Sequence, residues 1–141
     1  MSGKYKLVLK ADLNELDKLR DFVKNICYEN NIDEGNLFKI SLALEEACVN
    51  LIKHSYKFDS SKQISIYSKV EKGKIHFTLE DYGASFDPRE VLPIEIEQIR
   101  KKYQKGGMGI FLISQIMDEI NYTPKNKNSP SNKLELTKIL E

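Results

Sequence analysis

The sequence predicts an α+β fold: a two-layer α/β sandwich, with a mixed, mostly antiparallel sheet covered by helices on one face. Three observations lead there. Apolar residues recur with a period of two in some stretches and near 3.6 in others. Two of the period-two stretches are separated by Glu71-Lys72-Gly73-Lys74, a hairpin signal. The helical stretches are grouped, which suits helices laid against a largely antiparallel sheet.

Residues 4–10 (KYKLVLK) alternate as a strand does. Asp12 or Asn14 can cap a helix over about 13–30, where Leu13, Leu16, Leu19, Phe22, Val23 and Ile26 fall at helical spacing. Asn30-Asn31-Ile32-Asp33 breaks it, and a second helix is expected over about 34–55. Strands follow at 63–70 and 74–81. Residues 84–106 hold Pro88, Pro93 and a charged stretch from Glu95 to Lys105, and read as a long connection with room for one short helix. A third helix is expected over about 108–118, a strand near 119–123, and a last strand over about 133–140. The polar stretch from Lys125 to Asn132 between those strands reads as a mobile loop. No repeat or low-complexity tract interrupts the chain.

Bulk properties exclude several classes of function. A chain of 141 residues suits one domain, read as 1–141, with a single core. Its 22 basic and 21 acidic residues give a net charge of +1, which argues against a general nucleic-acid binder. Cys27 and Cys48 each sit within an apolar helical pattern and read as a reduced, buried pair. The first six residues lack the apolar core of a signal peptide, and no run of about 20 apolar residues exists to span a membrane. A cytoplasmic location is expected.

Three short segments carry the chemistry. On the second helix, Leu37, Ile40, Leu44, Cys48 and Leu51 form one apolar stripe. Glu46, Asn50 and His54, at i, i+4 and i+8, form another roughly opposite it, flanked by Ala43 and Ala47. A solvated polar face is the plain reading. Two features favour a site instead: the small alanines leave room for something to approach, and Asn50 is a poor residue for a helix interior. A carboxamide oxygen is a hard ligand suited to Mg²⁺, which takes few protein ligands.

In the strand at 74–81, Ile75, Phe77, Leu79 and Asp81 share one face, so an apolar run ends in a carboxylate aimed under the helices. A buried carboxylate needs a partner, and an adenine amino group would serve, with Gly83 letting the backbone close on the ring. An Asx-turn starting the next loop is the other reading of Asp-x-Gly. Finally, Gly106-Gly107-Met108-Gly109 opens the third helix, where free N–H groups favour phosphate, and Lys105 adds a cation. A Rossmann fingerprint fails here, because no third glycine follows and no strand precedes; a Gly-Lys-Ser/Thr loop is absent altogether. The order and spacing of the three segments make ATP binding the leading hypothesis.

Together these motifs resemble those of the GHKL (Bergerat-fold) ATPases, the superfamily that includes gyrase and the histidine kinases. More narrowly, EACVNLIKHSY (46–56), DYGASFD (81–87) and KGGMGIFLI (105–113), followed by Met117-Asp118-Glu119, resemble the anti-sigma-factor serine/threonine kinases of bacterial stress response and sporulation. The resemblance implies that Asn50 holds Mg²⁺, Glu46 is the general base for a serine hydroxyl, and Asp81 and Gly83 bind adenine. It adds His54, Lys105, Gly107, Met108 and Gly109 to the nucleotide contacts and makes 84–106 a lid over the triphosphate. It also implies partners: a sigma factor, a small anti-anti-sigma (STAS) protein as phosphate acceptor, and a second copy in a homodimer. Phosphoryl transfer of that kind asks mainly for Mg²⁺, positioned oxygens and a base near the hydroxyl.

The chain departs from the family pattern at three places. Ser55 follows His54 where many relatives have glycine, and Ser85 replaces the second glycine of Asp-x-Gly-x-Gly. Relatives usually place Gly-Thr before the last strand, the threonine helping to bind adenine. Here Ser131-Asn132-Lys133 stands there, so either Asn132 substitutes or the contact is missing. A non-catalytic ATP-binding or partner-sequestering module of the same fold is the alternative. The retention of both Glu46 and Asn50 speaks against it.

Overall fold

The computed structural model describes residues 3–85 and 108–140. All but the first two positions of the expected lid, with Lys105 and Gly107, therefore lie outside the described residues. β1 (Gly3–Lys10) leads through a single turn of 3-10 helix at Leu13–Glu15 into α1 (Leu16–Glu29). Asp12 is the residue that caps this turn, its carboxylate accepting from the Asn14 N–H at 2.9 Å. Asn31, at φ 54°, stops the helix, and the Asp33 carboxylate caps α2 (Glu34–Asn50) by accepting from the Asn36 N–H at 3.2 Å.

β2 (Gln63–Glu71) and β3 (Lys74–Asp81) form the expected hairpin, turned at Gly73 with φ 69°. α3 (Met108–Ile116), β4 (Glu119–Thr123) and β5 (Asn132–Ile139) complete the described elements. Strand order is β1-β2-β3-β5-β4, and all four pairings are antiparallel, so the sheet has no parallel component among the described strands. β5 slips between β3 and β4, which sets Asn132 directly opposite Asp81.

Period-two alternation decides which face is covered. Ile66 pairs with Leu79, Leu79 with Leu134 and Phe77 with Leu136, all at 3% exposure or less. From the helices, Leu19, Val23, Ile26, Ile40, Leu44 and Ile113 close on that face as one core. Each such side chain stabilises the fold by roughly 1.5–3 kcal/mol on burial. Tyr67, Lys69 and Glu135 stand on the other, uncovered face. Cys27 and Cys48 are buried and unbridged. No helix among the described residues is long and apolar enough to cross a membrane.

One expectation needs correction. The space beside Ala43 and Ala47 is filled by the protein itself: both are at most 1% exposed, on a helix that packs against α1 and α3. The stretch after Lys125 contains a hydrogen-bonded turn. Asn126 and Ser129 exchange backbone hydrogen bonds at 2.7 and 3.2 Å, and the stretch ends in Asn132 at 0% exposure.

Candidate functional site

α2 does not continue as an α-helix to residue 55. After Asn50 it widens into a π-helical turn, Leu51–Ser55, closed by the Tyr56 N–H donating to the Leu51 carbonyl at 3.0 Å. Lys57 and Phe58 then take left-handed φ values of 49° and 64°. Turns of this kind cluster at functional positions. The wider turn also breaks the 100° register on which the Glu46, Asn50, His54 stripe rests. Glu46 and Asn50, one α-helical turn apart, keep a common face, whereas His54 lies in the altered turn and is exposed.

Asn50 is 7% exposed, and its Nδ2 is buried with no hydrogen-bond partner. Such a group costs about 1–3 kcal/mol when left unmet. Glu46, one turn earlier, is half-buried and makes no hydrogen bond or ion pair among the described residues. Its neighbour Glu45 differs: its Oε1 accepts from Arg20 Nε and a terminal guanidinium nitrogen at 3.0 and 2.6 Å, tying α1 to α2.

The second carboxylate closes the site from the sheet. Asp81, the last residue of β3, is 1% exposed and faces the helices, as its parity requires. Its Oδ1 accepts from the Gly83 N–H and from Asn132 Nδ2, each at 3.0 Å. Burial raises the Asp81 pKa above the ordinary aspartate value, and those two bonds, with the charge of Lys125 and the Ser55 side chain, pull against the rise. The Asx-turn reading of Asp-x-Gly is thus realised together with burial, on one oxygen of the same side chain. Oδ2 carries the remaining acceptor capacity.

Gly83 has a reason for being glycine beyond room for a ring. A Cβ there would lie 2.2 Å from the Ser55 carbonyl oxygen, and the next N–H, of Ala84, donates to that same carbonyl at 2.9 Å. The end of the π turn and the loop after β3 are therefore in direct backbone contact. This contact brings the helix that carries Glu46 and Asn50 to the loop that follows Asp81. Tyr56 adds a second link that sequence reasoning passed over: its Oη donates to the Gln63 carbonyl at 2.5 Å and accepts from the Tyr82 N–H at 2.8 Å. The available signal was a tyrosine one turn after buried Ile52, at the end of an apolar helix.

Ser85 and Asn132, the two departures on the strand side, meet: Ser85 Oγ donates to Asn132 Oδ1 at 2.8 Å. At the far end of β5, the Lys138 ammonium donates to the Ile116 carbonyl at 3.2 Å, holding the carboxyl end of α3. Met108 and Gly109 form the amino end of that helix.

A helix-covered antiparallel sheet of this order, with a buried, unpaired carboxamide nitrogen on one helix and a buried carboxylate where the central strand ends, has the architecture of a GHKL-type ATPase domain. A family model described as the histidine kinase-like ATPase domain matches residues 9–138, and the chain belongs to that family. Among curated proteins, it is 29% identical to the serine-protein kinase RsbW of Listeria innocua over 85 residues, 57% of this chain and 54% of that one. It is 32% identical to the serine-protein kinase RsbW of Bacillus thuringiensis over 85 residues, 57% of this chain and 52% of the relative. The chain thus spans about half the length of the curated relatives it matches. A crystal structure of the RsbU and RsbW domains of a Mycobacterium tuberculosis protein matches with a TM-score of 0.68 and 16% identity, covering 98% of this chain and 32% of that one; the likeness is one of fold.

Proposed function

We propose that this chain is an ATP-dependent serine/threonine protein kinase that acts as an anti-sigma factor, phosphorylating a STAS-type anti-anti-sigma protein and alternately holding a sigma factor. The observation that carries the reading is the pairing on α2: Asn50, whose buried Nδ2 lacks a partner, one turn after half-buried Glu46, which makes no hydrogen bond or ion pair among the described residues. A scaffold needs neither. The names of the relatives, serine-protein kinases, support the same reaction class.

The donor set fits Mg²⁺ better than a metal that needs a full protein cage. Among the described residues no group of three or more His, Cys, Asp or Glu could hold an ion. Asn50 offers one hard side-chain oxygen, which suits an ion that keeps waters and shares phosphate oxygens. Bound there, Mg²⁺ would neutralise charge on the phosphates. Asp81 Oδ2 would accept from the adenine amino group. Glu46 would take the proton of the acceptor hydroxyl. The amino end of α3, Met108 and Gly109, would offer N–H groups to phosphate, with Lys105 and Gly107 beside them in the sequence. His54, exposed, would contact the nucleotide from the rim of the site. A homodimer is part of the same proposal.

The test is incubation with Mg²⁺, ATP labelled at the γ-phosphate, and candidate STAS proteins from the same cell. Label on a serine or threonine of one acceptor is expected. ATP binding without transfer to any acceptor would overturn the kinase reading in favour of a binding module. In calorimetry, Asn50→Ala should weaken ATP binding in the presence of Mg²⁺. Equal affinities for both proteins, with and without the ion, would remove Asn50 as its ligand.

A further inference from the structure

Asn132 is completely buried at the first position of β5, and it uses every hydrogen-bonding group it has. Its Nδ2 donates to Asp81 Oδ1 at 3.0 Å and to the Gly83 carbonyl at 3.1 Å. Its Oδ1 accepts from Ser85 Oγ at 2.8 Å and from the Lys125 N–H at 3.0 Å. A carboxamide has two donor hydrogens and an acceptor with two lone pairs. All four are spent inside the protein, so nothing remains for a base.

We infer that Asn132 is a positioning residue for recognition of a purine 6-amino group: it does not touch the nucleotide but, with Ser85, fixes the Asp81 carboxylate and the turn that follows it. The inference rests on the ATP-binding reading and deepens it. A carboxylate at the end of a strand would otherwise be free to turn about its last torsion. Here Oδ1 is held by two donors from different elements, the Gly83 N–H of its own loop and Nδ2 from β5. With Oδ1 held in this way, Oδ2 is the oxygen assigned to the ligand. The bond from Nδ2 to the Gly83 carbonyl holds the same turn that packs on the Ser55 carbonyl. Ser85 fixes Asn132 in turn, because its hydroxyl takes one of the two acceptor sites of Oδ1. A threonine at position 132 has one hydroxyl and could not make these four bonds at once.

The experiment compares ATP with purine riboside triphosphate, which carries hydrogen in place of the 6-amino group, by calorimetry with Mg²⁺. Wild type should prefer ATP by roughly 10–100-fold, the range for a hydrogen bond to a charged group. Asn132→Ala should bring ATP down to about the affinity of the analogue while leaving the analogue nearly unchanged, so that the preference shrinks to within about threefold. Ser85→Ala removes one bond on the protein's edge and should lose part of the preference; it keeps the inference falsifiable should Asn132→Ala not fold. Equal losses for both nucleotides in Asn132→Ala, with the preference kept, would reduce Asn132 to a structural role and overturn the inference. An undiminished preference in Ser85→Ala would remove Ser85 from it. A wild type that binds both nucleotides equally would overturn the adenine contact of Asp81 itself, and one that binds neither would overturn the ATP reading.

Discussion

Asp81 holds a carboxylate at 1% exposure, and burial raises its pKa. The folded protein therefore binds that proton more tightly than the unfolded chain does. Stability contributed by the protonated form is lost as pH rises from the ordinary aspartate range through the raised folded value. Asp81→Asn removes this dependence, because a carboxamide Oδ1 can accept the same two bonds from Gly83 and Asn132. The variant should melt at or above the wild-type temperature near pH 7, with the difference closing toward about pH 4, while ATP binding is lost. Thermal melts across that range check it; a variant clearly less stable at neutral pH would count against the linkage. Glu46→Gln tests the other carboxylate. It keeps size and hydrogen bonding but removes the proposed base, and should slow phosphoryl transfer by roughly 10²–10⁴ with ATP binding intact. Glu45→Gln is the control. Glu45 is engaged by Arg20, so its loss should alter stability by about 1 kcal/mol or less and leave transfer near normal. A wild-type rate in Glu46→Gln would place the base elsewhere.

At the scale of elements, the strands were legible because one face of the sheet is buried. Ile75, Phe77, Leu79 and Asp81 alternate with polar residues, and a slip of one position would expose them all. The end of α2 was less legible. Nothing in Leu51-Ile52-Lys53-His54-Ser55 distinguishes a π turn from an α turn, since the choice depends on what the following loop must reach. α3 offers a direct test of how elements are held. Lys138 lies on the helix-facing side of β5, opposite Ile75, at 9% exposure, and satisfies the Ile116 carbonyl. Lys138→Met keeps the length and apolar stem but leaves that carbonyl unmet. Chemical denaturation should show a loss of about 0.5–1.5 kcal/mol. An unchanged midpoint would mean that water replaces the bond at no cost.

Over the whole molecule, a single core shared by sheet and helices buries both thiols. Burial pushes Cys27 up to about 11 and Cys48 up to about 12, so neither forms appreciable thiolate at neutral pH. Reaction with a thiol reagent should therefore require unfolding, with Cys48 following the global unfolding rate in quenched-flow or mass-spectrometric labelling. Labelling of Cys48 much faster than unfolding would reveal local opening of α2. The sequence by itself determined the element order, the covered face of the sheet, the inward aim of Asp81 and the motif segments of the ATPase family, because those follow from local periodicity and spacing. Tertiary structure alone decided that His54 leaves the Glu46–Asn50 register, that Ala43 and Ala47 face protein, that Gly83 closes on Ser55, and that Asn132 turns inward to Asp81 and Ser85. Each of these is a contact between segments distant in the chain or set by such a contact, and the energy that selects it resides in the pair, where no single stretch of sequence records it.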